Sequence, residues 1–512
     1  MNGAESLVHT LLACGVDTCF SNPGTSEMHF VAALDRIPGM RCILGLQENI
    51  VTGAADGYFR MAGKPASTLL HCGPGLANGL ANLHNARRAR SGVVNCVGDQ
   101  ATYHRILDAP LTADTEGFAR GVSGWTRTAT RAADVGADCA VAVQAACSSP
   151  GQVATLILPS DTCWDEGGVV GTPLPVPAAP TVSQESLDAA VRALRSGEPT
   201  MLLLGGLALR AGPLGLAAGI VAKTGAQMLS QVSNARVERG AGRASIERVP
   251  YPVDQAVARL AGIKHLVLIG ATAPVGFFAY PNKPGRMQPP DCAVHVLARP
   301  EHDLADALAR LADALGAAPA PGEAKEKPER VRGAVTAEGF ARTLGAILPE
   351  GAVVVDESVS FGRSLSPFTQ GAAPHDWLQL TGGAIGEGIP MATGAAVGAP
   401  GRRVVNLQAD GSAMYSLQGL WTQAREKLDV TTVILSNRSY AILLGEYRGV
   451  GANPGRTAMD MMSLADPALD WPGLARGMGV DAARVDTLES FADVFEQANS
   501  RSGPFLIELA IG

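Results

Sequence analysis

Residues 408–416, "QADGSAMYS", lie between two runs of different character. Before them comes "GRRVVNL", β-branched and apolar like a buried strand; after them comes "LQGLWTQAREKL", with helical spacing. An acid, a glycine and a hydroxyl therefore stand where a strand ends and a helix begins. Asp-Gly is a common turn dipeptide and by itself needs no other role. The same residues also suit a metal–phosphate site. A carboxylate is a hard oxygen ligand for a divalent cation, glycine admits close backbone approach, and a hydroxyl beside free N–H groups at a helix N-terminus suits phosphate.

A second strand-like run, "DVTTVILS", ends in "NRSYAIL", which puts Asn437 at a strand's carboxyl edge as Asp410 is. Ligands of open parallel sheets bind outside that edge. A helix between the two runs returns the chain so that the edges can be neighbours. Asp410, Asn437 and a backbone carbonyl near Ser439 then supply three oxygens, leaving the rest of an octahedral Mg²⁺ shell to phosphate oxygens and water.

The 512 residues are too many for one core, and length points to about three domains. With 46% hydrophobic and 17% charged residues and 60 glycines, the composition is that of an Ala/Gly-rich α/β protein, not a disordered one. Net charge is −7 without a basic run, which argues against a nucleic-acid partner. No apolar run approaches membrane-spanning length, and "MNGAESLVHTLLACGVDTCF" reads as a helix entering a strand, not a signal peptide. The nine cysteines form no C-x-x-C pair and are odd in number, which points to incidental thiols of a reducing cytoplasm.

Strand-like and helix-like runs alternate along the whole chain, the pattern of parallel α/β sheets. In the first segment the strands are "VDTCFS", "RCILGL", "ASTLLH", "GVVNCVG" and "VATLILP", and "GTPLPVPAAPTVS" follows as a linker. A second segment holds "TMLLLGG", "AQMLSQ", "HLVLIG" and "CAVHVLA" and ends in the Pro/Ala-rich, charged "GAAPAPGEAKEKPERVRGA". The third holds "AVVVDES", "RRVVNLQ", "VTTVILS" and "PFLIELA". The expected domains are residues 1–165, 180–318 and 335–512, with two related α/β domains flanking the middle one.

"ADGS", a helix and a strand, then "SNRSY", resembles the diphosphate–magnesium motif of thiamine-diphosphate-dependent enzymes. That motif usually reads G-D-G-S and ends in N-N; this chain has Ala409 and Ser436 at the first glycine and first asparagine, but keeps both side-chain ligands. The resemblance implies three doubly wound parallel-sheet α/β domains, pyrimidine-binding, middle and diphosphate-binding in chain order. It also implies thiamine diphosphate held through Mg²⁺ by Asp410, Asn437 and Ser439, with Gly411, Ser412, Tyr415, Tyr440 and Ala441 around the cofactor. Family sites lie between the first domain of one subunit and the third of another, so a homodimer is the expected minimum and a homotetramer usual.

"RCILGLQENIVTGAADGYFRMAGKPA" resembles the segment carrying the family's cofactor-activating glutamate, which makes Glu48 that residue. Its role is to share a proton with the aminopyrimidine ring, best done from a desolvated carboxyl. "LTGGAIGEGIP" resembles the wall under the cofactor, with Ile385 forcing the bent conformation and Gly383 allowing close approach. Its order is G-x-x-G-x-G; neither it nor "HCGPGLANG" is a dinucleotide fingerprint, which argues against a nicotinamide dehydrogenase.

Within the family, "SNPGTSE" and "LLHCGPG" resemble benzoylformate decarboxylase, placing Thr25 at its substrate-contacting serine and His71 at a catalytic histidine. That enzyme's second histidine comes from the middle domain, where "GATAPVGFFAYPNKPG" has none and Phe278 falls near the position. "LDAPLTADTEGFAR" resembles acetohydroxyacid synthase, with Pro110-Leu111 in place of its Phe-Gln. No flavin-binding pattern stands in the middle segment, so FAD is not expected, and "YAILLGEYRGVG" lacks that synthase's acceptor-binding tryptophan. The expected substrate is a 2-oxo acid in an apolar pocket of Leu111, Phe278, Ile442 and Leu443, either decarboxylated or ligated to a second carbonyl. True acetolactate synthesis and a non-catalytic cofactor-binding paralogue are the alternatives; retention of Glu48, Asp410 and Asn437 argues against the latter.

Overall fold

The computed structural model describes residues 1–321 and 325–511; part of the second expected linker, residues 322–324, and residue 512 lie outside the described residues. Three sheets form. The first orders Arg41–Leu44, Thr18–Asn22, Ala66–Leu70, Val93–Asp99, Val153–Pro159 and Trp125–Thr128, all parallel. The second orders Ala293–Ala298, His265–Ile269, Thr200–Leu204 and Gln227–Ser230, also parallel. The third runs Asp481–Val485, Phe505–Ala510, Val430–Ser436, Val404–Ala409, Val353–Glu357 and His375–Gln379, and ends on the antiparallel Val237–Arg239, a strand borrowed from the middle of the chain. Helices on both sides bury each sheet, which is why strands such as Val93–Asp99 and Val430–Ser436 are buried along their whole length.

The outer sheets share one topology. Numbered in chain order within each sheet, and leaving the borrowed strand aside, both read 2-1-3-4-6-5. The order reverses between strands 1 and 3, which opens a crevice at their carboxyl ends. In the first sheet that crevice is flanked by the loops after Asn22 and Leu70; in the third, by those after Glu357 and Ala409.

The helices after the second strands correspond as well, Glu48–Ala62 and Gly388–Gly398, and they pack on each other across the two units. Their axes approach through glycines. A Cβ on Gly57 would lie 2.1 Å from the Met391 carbonyl oxygen, and one on Gly394 would lie 1.8 Å from that of Ala54. Apolar clusters continue across both junctions: Phe20 and Leu70 with Val355 and Met391, and Leu202 and Val267 with Val354 and Val405.

Four strands have no apolar run to announce them. Trp125–Thr128 and Asp481–Val485 are partly exposed edge strands, and Val237–Arg239 has only three residues. His375–Gln379 is wholly buried but polar, because its charges are paired: Asp376 lies 2.7 Å from Arg236 and 2.5 Å from Arg402, and the Trp377 indole donates to Asp356. Among the described residues no helix is long and apolar enough to cross a membrane.

Candidate active site

Asp410 is the first residue past strand Val404–Ala409 and is buried. Strand Val430–Ser436 pairs beside it in parallel, Ala409 opposite Leu435, so Asp410 and Asn437 leave adjacent strand ends. The Asp410 carboxylate accepts the backbone N–H groups of Gly411 (2.8 Å) and Arg438 (2.6 Å). Arg438 makes that turn in the left-handed region, φ +56°. Asn437 Oδ1 accepts from Ser439 N at 3.0 Å, and the Ser412 hydroxyl donates to the Ala409 carbonyl. A Cβ on Gly411 would stand 2.4 Å from the Tyr440 ring, so only glycine lets that ring lie over the turn.

The loop 381–387 forms the neighbouring wall and is fastened from two directions. From beneath, buried Glu357 accepts from Gly386 N at 2.6 Å and from Gly388 N, while Gln408 donates to Glu357 and to Ser412. Burial pushes the Glu357 carboxyl up to about 6 even against these donors. From the first unit, Asn85 brackets Ala384, donating to its carbonyl (2.8 Å) and accepting its N–H (3.2 Å). Ile385 is half-buried on this loop; Gly383 adopts φ +79° with the Phe277 ring against it, and Tyr415 packs on Gly386.

In the first unit, Glu48 opens helix Glu48–Ala62, with Gln47 as N-cap accepting from Asn49 N. Its carboxylate is buried against the helix Cys72–Ala89, accepting from Asn78 Nδ2 at 3.0 Å. A Cβ on Gly75 would meet that carboxylate at 2.9 Å, so the close approach depends on the glycine. His71 follows the strand Ala66–Leu70; its Nδ1 lies 2.8 Å from Glu27 Oε2 and 3.1 Å from the Ser26 hydroxyl. Glu27 is buried and also accepts from Gly24 N and Ser26 Oγ, which fixes it against the imidazole. Thr25 is exposed at the cavity rim.

A buried charge cluster joins the units. Arg60 forks onto Asp56 at 2.6 and 2.9 Å, reaches Glu387 at 3.2 Å and donates to the carbonyls of Gln379 and Ala235. One cation faces two carboxylates. Burial, with Asp56 beside it, drives Glu387 well above the usual carboxylate range. Burial also pushes Asp56 upward, but the Arg60 guanidinium outweighs it and holds Asp56 low.

The expected pocket residues separate into two groups. Thr25, His71 and Leu111 line one cavity with Tyr103, His104 and Trp164. Ala441 and Ile442 line another with Tyr251, Tyr280 and Glu446, and the two cavities share no residue. Leu443 and Phe278 are exposed. Sequence reasoning assigned no part to Glu27, Glu357, Gln408, Asn78 or Asn85. Glu357 carried a usable signal, an acid closing a β-branched run as in the Asp410 stretch; the others carried none without the packing.

A diphosphate held through a divalent cation fits these residues. The oxygens available are a carboxylate and a carboxamide, hard ligands suited to Mg²⁺, and Gly411 lets the Tyr440 ring lie close over the turn that carries them. The neighbouring loop is likewise shaped by glycine, at Gly383, where a Cβ would meet the Phe277 ring at 2.6 Å.

Residues 1–116 match the family model "Thiamine pyrophosphate enzyme, N-terminal TPP binding domain", and residues 361–509 match the corresponding "C-terminal TPP binding domain". The chain is 52% identical to the "Putative acetolactate synthase large subunit IlvX" of Mycobacterium tuberculosis, over 100% of this chain and 99% of that protein. It is 29% identical to benzoylformate decarboxylase of Pseudomonas aeruginosa, over 97% and 96%. Among solved structures, a thiamine diphosphate-dependent 4-hydroxybenzoylformate decarboxylase of Rhodococcus jostii superposes with a TM-score of 0.84 at 24% identity, covering 100% of this chain and 99% of that one; this likeness is one of fold.

Proposed function

The chain belongs to the thiamine pyrophosphate enzyme family, and from that premise we propose that it is a thiamine-diphosphate- and Mg²⁺-dependent enzyme that decarboxylates a 2-oxo acid and releases an aldehyde or ligates the product to a second carbonyl. The observation that carries the metal and cofactor assignment is the buried Asp410 carboxylate at a sheet switch point, beside Asn437 and over a glycine-shaped turn.

In this proposal Asp410, Asn437 and the Ser439 carbonyl hold Mg²⁺, and Gly411, Ser412, Tyr415, Tyr440 and Ala441 surround the diphosphate end. Bound thiamine diphosphate supplies the electron sink that lets a 2-oxo acid lose CO₂. The chain's residues orient and move protons. Glu48 shares a proton with the aminopyrimidine from a buried position, Ile385 and Gly383 shape the wall, and Glu357 and Asn85 hold that wall's loop. His71, aligned by Glu27, faces the substrate with Thr25 and Leu111, while Phe278, Ile442 and Leu443 close the apolar side.

The pocket residues lie around two cavities of one chain, and Tyr103, Ile106 and Leu107 are exposed beside the first while Tyr415 and Leu443 are exposed near the second. These observations support a site shared between two chains; the proposal is a homodimer or homotetramer in the cytoplasm. The proposed domains are 1–165, 180–318 and 335–512, with the borrowed strand Val237–Arg239 crossing from the second to the third. True acetolactate synthesis is the second reading, favoured by the name of the 52% identical relative.

The test is protein dialysed free of cofactor, then assayed with pyruvate, branched and aromatic 2-oxo acids. CO₂ release should require both thiamine diphosphate and Mg²⁺. Acetolactate from pyruvate as the main product would select the second reading. Cofactor binding without turnover of any 2-oxo acid would leave a non-catalytic binding protein.

A further inference from the structure

The cavity around His71 holds a second imidazole. His104 follows strand Val93–Asp99 and lines the same space, of about 420 Å³, as Thr25, His71 and Leu111. The chain reaches this place by topology. Strands 3 and 4 of the first sheet are neighbours, so the residues after Leu70 and those after Asp99 leave the sheet side by side.

The two rings are held differently. His71 Nδ1 is engaged by Glu27 and Ser26, which directs its other nitrogen away from them. The His104 ring makes no hydrogen bond or ion pair among the described residues; only its backbone is engaged, its N–H donating to the Ala101 carbonyl at 2.8 Å and its carbonyl accepting from Leu107 N at 3.0 Å. Both side chains are partly shielded from solvent. A half-buried imidazole without a protein partner keeps a donor and an acceptor available for whatever enters the cavity.

Resting on the 2-oxo acid reading above, we propose that His104 is a second proton-carrying group of this cavity and delivers the proton that completes aldehyde formation. The net step is R–CO–COO⁻ + H⁺ → R–CHO + CO₂. The bond to the carboxylate carbon breaks, and its electron pair ends in a new C–H bond. The proton comes from a ring nitrogen of His104, which is reprotonated by water at the open side of the cavity. The competing fate of that pair is a C–C bond to a second carbonyl carbon, which needs no proton at the reacting carbon. His104 therefore sets the partition between aldehyde and ligated product. The middle segment offers no histidine around Phe278 for this task.

The experiment uses holoenzyme reloaded with thiamine diphosphate and Mg²⁺, comparing wild type with His104→Gln on pyruvate, 2-oxoisovalerate and benzoylformate. His104 is not a core residue, so the substitution opens no core cavity. Aldehyde formation should fall about 10²–10⁴-fold, the usual worth of a positioned acid, and ligated product per CO₂ should rise, with cofactor affinity unchanged. Independently of turnover, carbethoxylation of His104 mapped by mass spectrometry should slow when the 2-oxo acid is present. An unchanged ratio of aldehyde to ligated product, or carbethoxylation indifferent to saturating substrate, overturns the proposal. Failure of the wild type to release CO₂ from any of the three acids overturns the 2-oxo acid reading itself and this proposal with it, an outcome recognisable before any variant is made.

Discussion

The Asp410 carboxylate accepts the backbone N–H of Arg438 at 2.6 Å, so one buried side chain ties together the ends of two neighbouring strands. Asp410→Ala removes the only charged oxygen of the proposed metal site. Thiamine diphosphate binding should be lost while the fold persists, because Asp410 stands at a sheet edge and the strands beneath it keep their ladders. Equilibrium dialysis with labelled cofactor reads this directly, and near-wild-type affinity would refute the assignment. Asn437→Ala should weaken binding less, since it removes a neutral ligand.

Glu48→Gln should retain Mg²⁺ and diphosphate binding, whose residues lie in the other unit, but slow C2-proton exchange by about 10²–10⁴-fold, the range of acid–base assistance. If sites are shared between chains, mixing the inactive Glu48→Gln and Asp410→Ala proteins under subunit exchange should restore part of the activity, because one site of a mixed dimer carries neither lesion. No recovery despite proven exchange would mean that each chain builds its own site.

Glu27 meets His71 at 2.8 Å and is itself held by Gly24 and Ser26. Glu27→Gln keeps the shape but withdraws the charge. Turnover should fall while cofactor affinity stays as in wild type, and His71→Ala should add little further loss in the double variant. Fully additive losses would show that the two residues act separately.

Arg60→Met should destabilise the protein by about 3–5 kcal/mol, because it leaves the buried Asp56 carboxylate without its cation. Arg60 also reaches Gln379 and Ala235, so the loss should appear in global thermal unfolding, not as local fraying. A melting temperature within a degree or so of wild type would contradict the cluster's structural role.

Glu357 predicts a pH effect. Its folded pKa is about 6 against an ordinary value of 4.5, so the native state holds the proton more tightly. The stability this contributes is fully present below the unfolded pKa and is lost as pH rises through the folded one. The loss should amount to about 2 kcal/mol between roughly pH 4.5 and 6. Glu357→Gln does not titrate, so wild-type stability minus variant stability should decline across that window and flatten above it. Parallel stability–pH curves would exclude the effect.

The local pattern was enough for the strands that present the candidate site residues. "RRVVNLQ" and "VTTVILS" are β-branched runs, and strands Val404–Ala409 and Val430–Ser436 pair as neighbours, so Asp410 and Asn437 converge as their positions imply. Glu48 at a helix start and His71 at a strand end were legible for the same reason: each is fixed by residues within a few positions. The polar strand His375–Gln379 was not, because its burial depends on Arg236 and Arg402, charges that no short window contains. Nor were the shared 2-1-3-4-6-5 order, the Glu27–His71 contact, the Arg60 cluster or the place of His104 in the cavity that His71 lines. Periodicity and turn chemistry act over one element, and they sufficed to declare most of the elements. Which elements lie side by side is decided by burial of apolar faces and pairing of buried charges across hundreds of residues, and only the packed chain brings those partners together.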